Sequence, residues 1–386
     1  MAILILSCSK SESLSPADSS YSELSLTDGI GGGPGTGEEP NTGNGQFEPG
    51  QMTAGEWNDL ENWNYWLTLL QENEWNPIQS YWGFKTQNRF SVEVVDNNNN
   101  AVVNAKVQLR EENNDIIWQA RTDVNGMAEL FGKMFDDRET PNKVVVIYNE
   151  KETYINPLTM MPTGINTIAL TVQASVPQKM NIYFAVDATG SMGDEIEFLK
   201  AELGNVISTV QSQYSNLELL MGASFYRDEG DTYLIDNLPF TANKNAILNF
   251  VDDHSAGGGG DFPEAVHTAL ENSLDAQWEE EAISRILFLI LDAPPHYESQ
   301  VIESIHESVK LAAEKGIKII PLTASGIDKE TEFLMRFMSI ATNGTYTFVT
   351  DDSGIGNEHL EPTVGQFTVE LLNEMLIRLI SENCDY

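Results

Sequence analysis

Apolar positions change their period twice along the chain. From Asn181 onward, continuous apolar runs alternate with amphipathic stretches. Residues 182–186 and 286–291 are apolar throughout, as strands covered on both faces are. Further strands are expected at 219–226, 318–322 and 346–349, with 233–240 as an antiparallel neighbour. Helices are expected at 193–213, 244–251, 263–274, 301–315 and 369–380. This alternation predicts an α/β fold over residues 176–386, a doubly wound, mostly parallel sheet of Rossmann-like winding. Such sheets hold their ligands beyond the C-terminal ends of the strands.

Residues 86–175 follow a period of two instead. Short alternating runs at 90–95, 103–109, 117–122, 127–131, 143–148 and 165–172 are separated by turn signals, among them Asp96 with Asn97 to Asn100, and Asp123-Val124-Asn125-Gly126. They predict a β-sandwich, closed off by Pro177. Residues 51–85 are dense in aromatics, with Trp57, Trp63, Trp66, Trp75 and Trp82. Trp63, Trp66, Leu67 and Leu70 fall at helical spacing, so 54–72 is expected to be one amphipathic helix packed on the next domain. A grip on a glycan is the other reading of the stripe. Residues 9–50 are rich in Ser, Gly, Pro and Glu and read as a disordered, flexible tether.

Charge narrows the partners. The chain carries 59 acidic against 21 basic residues, a formal net charge of -38. Such a surface repels phosphates, which excludes nucleic acid as a main partner, and it attracts divalent cations. Solubility alone also accounts for it. The two cysteines, Cys8 and Cys384, define no disulfide framework and no zinc spacing. No apolar run approaches the roughly 20 residues that span a bilayer. Residues 1–8 resemble the end of a bacterial lipoprotein signal, with an apolar run followed by Ser7 and Cys8, although no basic residues precede it. The resemblance implies lipidation at Cys8 and a place in the bacterial cell envelope, at the outer membrane or cell surface. The membrane would then be met only through the lipid anchor. The tail of a secreted or cytosolic protein is the alternative.

The candidate chemistry lies where the sheet predicts it. Asp187-Ala188-Thr189-Gly190-Ser191 follows a buried strand and precedes a helix. Asp187 offers charge and Thr189 and Ser191 offer hydroxyls, an all-oxygen set suited to Mg²⁺, with Ca²⁺ or Mn²⁺ as alternatives. Two further elements follow in order: Gly257-Gly258-Gly259-Gly260-Asp261-Phe262-Pro263-Glu264, and Asp292-Ala293-Pro294-Pro295-His296. Together with Tyr226-Arg227-Asp228 they resemble von Willebrand factor type A domains with a metal-ion-dependent adhesion site, in the branch associated with alpha-kinases. That resemblance covers about residues 178–386. It implies metal ligation by Asp187, Thr189, Ser191 and Asp292. Asp261 stands where the family commonly has a threonine ligand, and a third carboxylate would raise metal affinity while weakening the ion's pull on an acidic partner. Asp228 would act behind the ligands, accepting from a metal-bound water, or would be a turn residue paired with Arg227. The aspartates could also simply cap the helices that follow. Residues 86–174 resemble carboxypeptidase regulatory-like modules in Val94, Asp96, Val102, Ala105, Val107 and Leu109 and in Thr122, Asp123, Gly126 and Ala128, which implies a structural or interaction role without peptidase chemistry.

The expected function is metal-dependent binding of a protein partner, or a glycan, at the cell surface, and not catalysis. The alternatives are an envelope scaffold with a structural metal and a metal-assisted hydrolase. No Gly-Lys-Ser/Thr follows the glycine run, and His306-Glu307 lacks the second histidine of a metalloprotease helix.

Overall fold

The computed structural model describes residues 47–260 and 262–386. Cys8, the tether as far as Gln46, and the candidate ligand Asp261 lie outside the described residues. The described chain opens with β1 (Thr53–Trp57), α1 (Trp63–Leu69) and α2 (Trp75–Trp82). Seven strands follow: β2 (Arg89–Val95), β3 (Lys106–Arg110), β4 (Ile116–Arg121), β5 (Met127–Phe131), β6 (Lys143–Tyr148), β7 (Lys151–Ile155) and β8 (Asn166–Ala169). Then come β9 (Lys179–Asp187), α3 (Ile196–Gln213), β10 (Glu218–Tyr226), β11 (Ile235–Thr241), α4 (Lys244–Asp252) and α5 (Val266–Asp275). The last elements are β12 (Ser284–Leu291), α6 (Ser299–Lys315), β13 (Ile317–Thr323), α7 (Lys329–Ala341), β14 (Tyr346–Val349), β15 (Val369–Leu371) and α8 (Leu372–Glu382).

The large sheet has the order β11-β10-β9-β12-β13-β14-β1-β15. Its five strands β10, β9, β12, β13 and β14 run parallel, with β11 antiparallel at one edge. The apolar runs are explained by the two layers over it. Ile182, Phe184 and Val186 of β9 pack with Leu199, Leu203 and Leu376 of α3 and α8. Tyr183 and Ala185, pointing the other way, share a core with Leu270 of α5 and Ile305 of α6. Each fully buried Val, Leu, Ile or Phe side chain among these contributes about 1.5–3 kcal/mol through burial. Residues 86–175 form two smaller sheets, β5-β2-β8 and β4-β3-β6-β7, whose inward side chains continue that second core. Among the described residues no helix is long and apolar enough to cross a membrane.

Two expected helices are corrected. Residues 54–72 do not form one helix. Thr53–Trp57 is a strand set between β14 and β15, with Ala54 opposite Val349 and Thr53 opposite Leu371. The Asn58 side chain then accepts from the amides of Leu60 and Glu61 and turns the chain into the short α1. The aromatic stripe packs as expected: Trp66 stacks on Phe333 of α7 at 4.9 Å and its indole donates to Thr86 at 2.9 Å. Likewise 369–380 begins as β15 and only then becomes α8, because Val369–Leu371 pairs with β1. The large sheet thus takes a strand from outside residues 176–386.

Candidate metal centre

β9 and β12 are neighbours with Val186 opposite Ile290, so Asp187 and Asp292 leave adjacent strand ends on the same edge. Both are buried. Asp187 Oδ1 accepts from the Thr189 amide at 2.8 Å and from its hydroxyl at 2.7 Å. Thr189 Oγ1 in turn lies 3.1 Å from Ser191 Oγ, and Ser191 is exposed. The loop is therefore wound around its own oxygens. Neither the 3₁₀ turn Gly190–Asp194 nor α3 has a side-chain cap at its start, which removes helix capping as the reason for these residue types.

The glycine run is stitched onto this loop by the backbone. Gly190 N donates to Gly258 O at 3.1 Å and Gly257 N to Ala188 O at 3.0 Å. Gly259 has φ +72°, and a Cβ there would stand 2.9 Å from Glu264 Oε1 and 3.4 Å from the Thr189 Cβ, so glycine alone allows this approach. Glu264, expected to lie within a helix, instead donates its amide to Pro294 O at 2.8 Å, and α5 starts at Val266. Its buried carboxylate is thereby held beside the site.

Electrostatics follow from crowding acids in a buried place. Burial, opposed by the Thr189 hydrogen bonds, raises Asp187 to about 6. Burial and then the Asp187 charge raise Asp292 to about 7, with Ser191 pulling the other way. Burial and then Asp187, Asp228 and Asp292 raise Glu264 to about 8. Asp187 Oδ2, Asp292 Oδ1 and Glu264 Oε2 are buried and accept no hydrogen bond. Buried carboxylate oxygens without a donor are costly, and a bound cation satisfies them. Among the described residues no three His, Cys, Asp or Glu side chains converge as a metal cluster. The described donor set is instead two carboxylates, Asp187 and Asp292, with the hydroxyls of Thr189 and Ser191, and it fits a hard divalent ion.

Residues 181–356 match the family model of the von Willebrand factor A domain. This segment is a von Willebrand factor A domain. Two curated relatives align with the chain. One is described as an ariadne-like RING finger protein of Acanthamoeba polyphaga mimivirus, 30% identical over 122 residues, covering 31% of this chain and 12% of that protein. The other is alpha-protein kinase vwkA of Dictyostelium discoideum, 24% identical over 212 residues, covering 54% of this chain and 32% of that protein. The chain thus spans less than a third of the length of either relative. Among solved structures, BatB of Bacteroides thetaiotaomicron is similar at 15% identity, with a TM-score of 0.37 over 54% of this chain and 100% of that one. The pilus adhesin SpaC of Lactobacillus rhamnosus GG is similar at 12% identity, with a TM-score of 0.35 over 46% of this chain and 29% of that one.

The A domain places further polar residues around its candidate ion site. Asp228 bonds His296 Nε2 at 2.8 Å, whereas Arg227 turns to Thr232 and the Ser255 carbonyl, so of the two readings of Asp228 the pairing with Arg227 is not the one formed. Asp231 accepts from the amides of Asp228 and Gly259 and anchors the glycine run. Glu195 and Asp351 clasp the buried His359 at 2.8 and 2.7 Å. Asp231, Glu195, Asp351 and His359, which the sequence reading did not single out, sit outside any short motif. Only Glu264, three residues past Asp261, carried a local signal.

Proposed function

We propose that this protein is a metal-dependent binding protein whose A domain presents a divalent ion, Mg²⁺ first, to a protein partner, and that it performs no catalysis. Asp187, Thr189, Ser191 and Asp292 would hold the ion, with Asp261 as a further carboxylate and Asp228 behind them. The ion would supply a Lewis-acidic position for a partner's oxygen. The observation that carries this reading is the pair of buried, unpartnered oxygens Asp187 Oδ2 and Asp292 Oδ1 beside two hydroxyls, one of them solvent-exposed. Phe262 and Tyr297, 46% and 47% exposed and close in sequence to Asp261 and Asp292, offer aromatic surface for a protein partner beside the ion. Anchoring through Cys8 in a bacterial envelope belongs to the same proposal and rests on the residues preceding the tether.

The test is calorimetric titration of Mg²⁺, Mn²⁺ and Ca²⁺ into the full chain and into Asp187→Ala, Asp292→Ala and Asp261→Ala. The full chain is needed because residues 176–386 alone would leave β14 and β15 without the strand between them. One-to-one binding in the parent, lost in Asp187→Ala and weakened in Asp292→Ala, is expected. A folded parent that binds no ion at millimolar concentration overturns the proposal.

A further inference from the structure

Basic side chains are scarce in this chain, 21 among 386 residues, and several of them gather at the junction of the sandwich and the A domain, at the end of the large sheet opposite the candidate ion site. A cavity of about 590 Å³ opens there, with Asn104, Lys106, Arg121 and Lys179 in its wall and Glu218 and Glu281 as its acidic members. Cavities of this size suit a compact organic ligand.

The charges in the wall are unevenly matched. Lys179 lies 2.9 Å from Glu279 and 3.8 Å from Glu218, so that end is balanced. The other end is not. Among the described residues neither Lys106 nor Arg121 has a carboxylate at ion-pair distance, and the Arg121 Nε is buried with no acceptor. Behind them Arg285, only 3% exposed, is held by neutral oxygens alone: the carbonyls of Glu279 and Glu280 and the Asn104 amide. Asn104 Oδ1 accepts from both guanidiniums, from Arg121 at 3.3 Å and Arg285 at 3.2 Å. It does so from a left-handed backbone, φ +61°, which asparagine adopts more readily than most side chains. Two like charges brought to one amide oxygen in a buried place are unfavourable without a counter-charge. Burial and then the Arg121 charge lower Arg285 to about 10, and the charges of Glu281, Glu280 and Glu279 offset this only in part. Val103, Ile147 and Val176 give the same cavity an apolar wall.

We infer that this junction is a second binding site, independent of the ion site, for a small ligand that carries an oxyanion, a carboxylate or a phosphate monoester, held by Arg121 and Lys106 with its body against Val103 and Val176. The planar guanidinium matches either oxyanion through paired N–H bonds.

The experiment titrates citrate and glucose 6-phosphate separately into the full chain at constant ionic strength set with chloride. The variants Arg121→Met, Lys106→Met and Asp187→Ala are titrated in parallel. One-to-one binding of at least one anion is expected, weakened about tenfold or more by Arg121→Met and by Lys106→Met and unchanged by Asp187→Ala. Binding of citrate alone assigns a carboxylate ligand, and binding of the sugar phosphate alone assigns a phosphate ester. Absence of binding at millimolar concentration overturns the inference, as does equal binding by parent and both cavity variants. If Arg121→Met does not fold, Lys106→Met decides the matter.

Discussion

Replacing Asp59 by alanine should loosen the N-terminal segment from the A domain, and the structure sets the size of the effect. Asp59 accepts from Arg336 Nε at 2.8 Å and Nη2 at 2.7 Å, and from the Trp57 indole at 2.9 Å. Both charged side chains are buried, 1% and 0% exposed. Breaking a buried pair from one side commonly costs about 3–5 kcal/mol, because the remaining charge is stranded. Here Arg336 keeps Glu332 at 3.2 Å, so the charge stays compensated and the lower end applies, about 3 kcal/mol. In a chain of this size that is a fall in melting temperature of about 4 °C. Asp59→Asn, which keeps an acceptor for Trp57, should lose about half as much. Scanning calorimetry and urea unfolding measure the loss, and hydrogen exchange should show the amides of β1 opening first. A loss below about 0.5 kcal/mol for Asp59→Ala, the scale of an ordinary surface change, would refute the view that this pair staples residues 53–82 to α7.

Other outcomes follow from the same geometry. Gly259→Ala, forced to adopt φ +72° against Glu264 and Thr189, should lose about 1–3 kcal/mol of stability in urea unfolding and weaken ion binding in calorimetry. The pH dependence of stability should carry a signature of His359. Burial, the largest influence, disfavours its charged ring, but Glu195 and Asp351 outweigh it and the pKa rises above 6.5. A raised histidine pKa means a stabilising contribution fully present below about 6.5 and lost as pH rises through the folded value. The stability gap between the parent and His359→Gln should therefore narrow on going from acid to alkaline pH, and a gap that widens would count against the clasp.

The sequence made the centre of the sheet legible and left its far edge hidden. β9 and β12 announce themselves because strands buried on both faces are apolar at every position, and β14 at Tyr346–Val349 lies where alternation placed it. β1 is another matter. Thr-Ala-Gly-Glu-Trp has no strand period, and the tryptophans after it sit at helical spacing, so the local pattern points away from the pairing that decides its state. The same holds for Val369–Leu371, whose only reason to be extended is β1 itself. At the candidate ion centre, Asp187 and Asp292 were legible because strand ends in such sheets are where ligands gather. Asp231, Glu195 and His359 were not, since each acts through contacts made across long stretches of chain.

The strand between β14 and β15 also sets a timetable for synthesis. Thr53 and Ala54 leave the ribosome early, but their partners Leu371 and Val349 are made about 300 residues later, roughly 15–60 s at ordinary elongation rates. Through that interval β1 has no edge to join, and the growing sheet ends at whichever parallel strand was made last. The eight-stranded sheet can therefore be completed only after Leu371 is made; a product that stops before β14 leaves β1 unpaired on both sides, and one that stops between β14 and β15 leaves its outer side open for other chains to find.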